Sequence, residues 1–261
     1  MSAVRKPCPV CGRGARDKTL KVTTDELGTV AYCYRCLYTT CQNQGQPRLE
    51  PVRTTSDKPL DWSEKAESIW RRALPLRGTI GQTYLEHRRC VLPPADSHLR
   101  FLAGGGKYPP SLCAAVTDAR SGKPISLHFT RLAADGKGKA GSEQDKLLLA
   151  GHRKKGGVIR LWPDEAITYG LAIAEGIESA LAAAHLFTPV WAAIDASNLA
   201  AFPVLNGIEA LVIFADHDDV GIGAAKLCAQ RWRESGRETR IRRPRAKGLD
   251  MADVIAAKAA A

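Results

Sequence analysis

Four cysteines stand in two Cys-x-x-Cys pairs, Cys8 with Cys11 and Cys33 with Cys36, and twenty-one residues separate the pairs. Two such thiolate knuckles facing each other supply the tetrahedron that zinc prefers, with each sulfur about 2.3 Å from the metal. A unit of this length buries little surface by itself, so the metal is expected to supply much of its folding energy. The chain has eight cysteines, and an even number also raises disulfides. The paired spacing and the absence of an apolar leader between Met1 and Lys6 favour metal binding instead, in a cytoplasmic protein. Cys41 breaks the pairing and is left out. Cys90, Cys113 and Cys228 have no partner spacing and are expected as small buried residues.

A second constellation is acidic. Glu175 and Glu178 lie in Ala-Glu-Gly-Ile-Glu-Ser-Ala, Asp216, Asp218 and Asp219 in Ala-Asp-His-Asp-Asp-Val-Gly, and Asp250 and Asp253 in Gly-Leu-Asp-Met-Ala-Asp. Carboxylates brought together repel unless a divalent cation neutralises them, and a set of oxygen ligands suits magnesium or manganese. Acids at helix starts also act as caps, which is the plain alternative for any one of these motifs and stays open for Glu178 and Asp219. His217, between two aspartates, is given no ligand role.

Charge points to the partner. Thirty-eight Lys and Arg against twenty-seven Asp and Glu leave a formal net charge of +11. Such a balance favours a polyanion, and with no basic amphipathic helix to lie on a membrane, nucleic acid is the expected partner. Arg13, Arg16, Lys18, Lys21, Tyr34, Arg35 and Tyr38 place cations and rings around the cysteine pairs, where phosphates and unpaired bases can be held. Arg153, Lys154 and Lys155 form a second basic run that could bind triphosphate or template, although such a run is more often a solvated loop.

The elements that must position these groups follow from patterning. Thr19–Thr24 and Thr29–Tyr32 read as strands around a turn at Gly28, and residues 42–59, rich in Gln, Pro, Thr and Ser, as a linker. Asp61 and Glu64 have the form of an acidic capping box ahead of a helix whose apolar face would be Ile69, Trp70 and Leu74, with a second helix over Gly81–Arg89. Ile125–Arg131 and Val158–Trp162 read as strands. Leu171–Ala174, Val190–Ile194 and Ala210–Ala215 are short apolar runs, each followed by a helical pattern, which predicts parallel strands with crossover helices. In that architecture residues just past the carboxyl ends of the strands converge on one crevice, and Glu175, Asp216 and Asp218 hold such positions.

Glu-Gly-x-x-Ser-Ala, then Asp-x-Asp with a following Gly, then Asp-x-x-Asp, resembles the TOPRIM domain over about residues 168–257. With cysteine pairs ahead of it, and with Lys146-Leu-Leu-Leu and Gly156-Gly-Val-Ile-Arg-Leu between, the chain is similar to phage, plasmid and bacterial primases. The resemblance implies a zinc ribbon over 1–41, a linker over 42–59, a helical and α+β primase subdomain over 60–165 and an α/β TOPRIM domain over 166–261, a parallel sheet with flanking helices. It implies zinc on Cys8, Cys11, Cys33 and Cys36, and magnesium or manganese on Glu175, Asp216, Asp218 and Asp250. Glu175 would assist proton transfer and Lys146 would contact nucleotide or template. In the third motif Ala252 stands where the family often has Asn. The activity implied is synthesis of short RNA primers from nucleoside triphosphates on single-stranded DNA. No Gly-x-x-x-x-Gly-Lys-[Ser/Thr] occurs, so unwinding is expected from a separate helicase. The acids alone leave open a metal-dependent nuclease, and the ribbon alone a non-catalytic single-stranded-DNA-binding factor.

Overall fold

The computed structural model describes residues 2–12, 14, 17–25, 28–33, 38–43, 61–106 and 108–258. The chain divides into two compact units, residues 1–58 and 59–261. In the first, four antiparallel strands, β1 (Ser2–Lys6), β2 (Leu20–Asp25), β3 (Gly28–Cys33) and β4 (Thr39–Asn43), follow one another in order across a sheet. The two expected strands are β2 and β3, in register from Leu20 opposite Cys33 to Asp25 opposite Gly28. β4 carries the sheet to Asn43, two residues beyond the expected end of the unit at 41. Residues 44–60, most of the expected linker, lie outside the described residues.

The second unit is built on one nine-stranded sheet. Its main path runs β13, β12, β10, β11, β9, β6, β7, β8, and β5 (Leu99–Leu102) pairs with β6. β10 (Gly170–Ala174), β11 (Val190–Ala192), β12 (Ala210–Phe214) and β13 (Glu238–Arg242) are parallel neighbours. β11 then pairs antiparallel with β9 (Gly157–Arg160), which joins β6 (Ser111–Asp118), β7 (Pro124–Arg131) and β8 (Lys146–Leu148). The α+β and TOPRIM-like stretches therefore share a sheet.

Burial on both faces explains the apolar runs. On one face, Leu171, Ile173, Leu211 and Ile213 pack with Leu199 and Phe202 from or beside α4 (Ala196–Ala201) and Ala225, Cys228 and Trp232 of α5 (Asp219–Glu234). On the other, Ala172, Ala174 and Val190 meet Ile177, Ala180 and Leu181 of α3 (Ile177–Ala183) and Met251 and Ala252 of α6 (Met251–Lys258). That second core continues to Leu112, Ala114 and Val116 of β6 and to Tyr84 and Leu85 of α2 (Ile80–His87). Cys90, Cys113 and Cys228 are buried and free, as expected.

Two local expectations are corrected. The helix α1 (Glu64–Arg72) is capped by Ser63, whose hydroxyl accepts from the Ala66 amide, and not by Asp61. Asp61 instead pairs with the Arg153 guanidinium at 2.6 Å. Leu74 lies past the helix and is half exposed, while Ile69 and Trp70 pack inward. β13 is an unforeseen strand: as an edge with alternating exposed Glu238, Arg240 and Arg242 it lacks the apolar run that marks its neighbours. Among the described residues no helix is long and apolar enough to cross a membrane.

Candidate functional site

β10 is flanked by β11 on one side and β12 on the other, so successive crossovers leave it in opposite directions. Such a reversal opens a crevice at the carboxyl ends of the central strands. Glu175 follows β10 there, and Asp216 and Asp218 follow β12. All three are partly exposed. Burial, then the neighbouring charges of Asp216, Asp218 and Asp195, push the Glu175 carboxyl up to about 7. Burial with Asp250 and Asp218 pushes Asp216 up to about 6, against Lys146 and a Ser179 hydroxyl that donates at 3.4 Å. Acids from separate stretches thus feel one another in one place.

Backbone pairing brings in the third motif. The His217 amide donates to the Leu249 carbonyl at 2.9 Å and the Gly248 amide to the His217 carbonyl at 2.8 Å, which lays Asp250 beside the β12 turn. His217 itself meets the Arg243 guanidinium. Asp218 caps α5, accepting from Gly221 at 2.7 Å, and Asp250 and Asp253 accept from each other's amides at 2.9 and 3.0 Å. Asp218 and Asp250 thus accept cap bonds while their charges also act on Asp216. Asp219, exposed and 3.5 Å from Lys247, stands apart.

Lys146 opens β8 and reaches the same neighbourhood, its ammonium 3.0 Å from Glu178 Oε2. Burial works to lower the Lys146 pKa, but the Glu178 carboxylate, helped by Asp250 and Asp216, outweighs it and raises it. Burial likewise works to raise Glu178, and Lys146 and Lys139 overcome it and hold the carboxyl well below its usual range.

In the first unit the ligand atoms of Cys8, Cys11 and Cys33 lie within 4.8 Å of one another, and the Cys11 and Cys33 sulfurs are 3.5 Å apart. Sulfurs about 2.3 Å from a tetrahedral zinc would stand about 3.8 Å apart, so the three thiols fit that ion. The Val10 amide donates to Cys8 Sγ at 3.4 Å, fixing the knuckle. Among the described residues no three carboxylates gather as closely as these thiols.

Residues 170–261 match the Toprim domain family. This stretch is a Toprim domain. Residues 61–161 match a domain of unknown function, DUF7146. No curated protein matches the chain in sequence. Among solved structures the chain is similar to the primase fragment of the bacteriophage T7 primase-helicase protein, at 15% identity over 95% of this chain and 92% of that one, TM-score 0.45. A DNA primase domain from Pseudomonas aeruginosa matches at 13% over 70% and 57%, TM-score 0.40. The zinc-binding and RNA polymerase domains of Aquifex aeolicus primase match at 14% over 97% and 75%, TM-score 0.42.

The Toprim crevice also holds residues that sequence reasoning passed over. Asp195 follows β11, caps α4 through the Asn198 amide and takes the Lys154 ammonium at 2.5 Å. Burial works to raise it, and the hydrogen bonds from Lys154, Asn198 and Ser197 together hold it low. Its signal was an acid at a strand-to-helix junction, as at Glu175, but without the neighbouring Gly. Just before it Ile194 sits at φ 76, a strained setting for a β-branched residue. Lys154 is thus tied to the crevice and Lys155 is exposed beside it. Arg153 is committed to Asp61 and Asp118. Of the expected ribbon contacts, Lys18 is exposed, whereas Arg13, Tyr34, Arg35 and the fourth cysteine, Cys36, lie outside the described residues.

Proposed function

We propose that this chain is a DNA primase that joins nucleoside triphosphates into short RNA primers on a single-stranded DNA template. The observation that carries the reading is that Asp216 and Asp218 act on Glu175, and Asp250 and Asp218 on Asp216, at the carboxyl ends of β10 and β12, with Lys146 of β8 acting on both Glu175 and Asp216. Asp216 and Asp218, with Glu175 and Asp250 beside them, are the residues that would hold magnesium or manganese. Such ions, when bound, polarise the α-phosphate and neutralise charge on the departing pyrophosphate. Glu175, the carboxylate that follows β10 beside that site, would take the proton of the attacking 3′-hydroxyl. Lys146 supplies a positive charge opposite the phosphates, and the cap bonds to Asp218 and Asp250 keep those carboxylates from turning away. The four ribbon cysteines would hold zinc, and the ribbon's cations and rings would grip the template. A separate helicase would expose that template.

The test is purified protein with single-stranded DNA, labelled ribonucleotides and magnesium. Short RNA products are expected, and Glu175→Gln and Asp216→Asn are each expected to reduce them by about a hundredfold or more. A shortened template without incorporation would show a nuclease instead, and tight binding with neither product an accessory factor.

A further inference from the structure

The loop between β7 and β8 brings a second lysine to the crevice. Lys139 Nζ lies 3.5 Å from Glu178 Oε1, while Lys146 Nζ lies 3.0 Å from Oε2. The Glu178 side chain is only 4% exposed, and the two lysine side chains are 38% and 45% exposed. The Tyr84 hydroxyl of α2 donates to Glu178 Oε1 at 3.0 Å, so three elements converge on one buried carboxylate. A buried carboxylate survives only when paired. Here one negative charge draws together two ammonium groups that would otherwise repel, and leaves a net positive charge on their exposed side.

The loop that delivers Lys139 is held in shape by its own backbone. The Ala133 amide donates to Gly138 at 3.0 Å and the Ala140 amide to Arg131 at 3.1 Å, closing the turn. Gly136 at φ 69 packs so near Ile80 and Thr83 of α2 that a Cβ there would stand 3.1 Å from each. Lys146 is directly opposite Thr130 across the β7–β8 pair, which fixes its origin as firmly.

We propose, resting on the primase reading, that Glu178 is a positioning residue that holds Lys139 and Lys146 as a two-lysine cradle for the triphosphate of the incoming nucleotide. A single lysine offers one contact to an extended triphosphate; two partly exposed ammonium groups held by one carboxylate offer two.

The experiment measures the ATP KM and kcat of primer synthesis, and equilibrium binding of ATP and of inorganic tripolyphosphate to the full chain with magnesium. Lys139→Ala and Glu178→Gln are each expected to raise KM and weaken both ligands about tenfold, with kcat changed far less. Lys137→Ala, an exposed neighbour on the same loop with the same charge lost, is expected to change neither. Thermal melting reports folding, and if Glu178→Gln does not fold, the exposed Lys139→Ala decides alone. Unchanged KM and tripolyphosphate binding in Lys139→Ala, or in a folded Glu178→Gln, overturns the cradle even where the wild type makes primers. Weakened tripolyphosphate binding in these variants of a chain that makes no primers upholds the cradle and removes the primase reading.

Discussion

At the scale of single residues, Glu175 and Asp216 are the groups whose protonation matters most. Their pKa values, about 7 and about 6, lie above the ordinary 4.5 and 3.8, so the folded chain keeps protons that the unfolded chain has released. The stability this contributes is complete below the unfolded values and is lost as pH rises toward the folded ones, between about pH 4 and 7. Without divalent metal, melting temperature is therefore expected to fall from about pH 5 to about pH 8, and to fall less in Glu175→Gln. Melting scans across that range check it, and an equal fall in both proteins would count against the crowding of these acids. Magnesium is expected to restore more stability at the higher pH, where the carboxylates are ionised. Glu175, Asp216 and Asp250 were legible in the sequence because each sits in a motif at a strand-to-helix junction. Glu178 was not, because its meaning comes from Lys139 and Lys146, which arrive from over thirty residues upstream.

At the scale of elements, the β12–α5 turn sets the acids. A Cβ on Gly221 would stand 2.7 Å from the Asp216 carbonyl oxygen and 3.3 Å from Asp218 Oδ1. The first contact is with backbone, which cannot swing aside, so the turn itself must shift. Gly221→Ala is expected to cost about 1–3 kcal/mol and to lower primer synthesis about a hundredfold by displacing Asp216 and Asp218. Denaturant unfolding and the priming assay measure the two effects, and full activity would mean that the turn tolerates movement. The glycine was legible as part of the Asp-x-Asp motif. Its steric duty was not, since it depends on how closely the first turn of α5 lies over Asp216.

At the scale of the whole molecule, the two units draw stability from different sources. The second has extensive cores on both faces of its sheet, whereas among the described residues of the first the buried cluster is Cys8, Leu20, Ala31 and Cys33. About one zinc per chain is expected, and its removal by a strong chelator is expected to unfold the first unit alone. Hydrogen exchange would then show fast amides in β2 and β3 and unchanged protection in β10 and β12. A first unit that stays protected without metal would refute the site.

The sequence by itself determined the cysteine pairs, the apolar strands β10, β11 and β12, and the acids that follow β10 and β12, because those depend on spacing and local burial that residue types record. Tertiary structure alone decided that β9 would pair antiparallel with β11 and merge two stretches into one sheet, that Ser63 would cap α1 while Asp61 went to Arg153, and that Asp195 and Glu178 would join the crevice. Those outcomes turn on which distant charges and edges meet once both faces of the sheet are covered, and no local pattern carries that information.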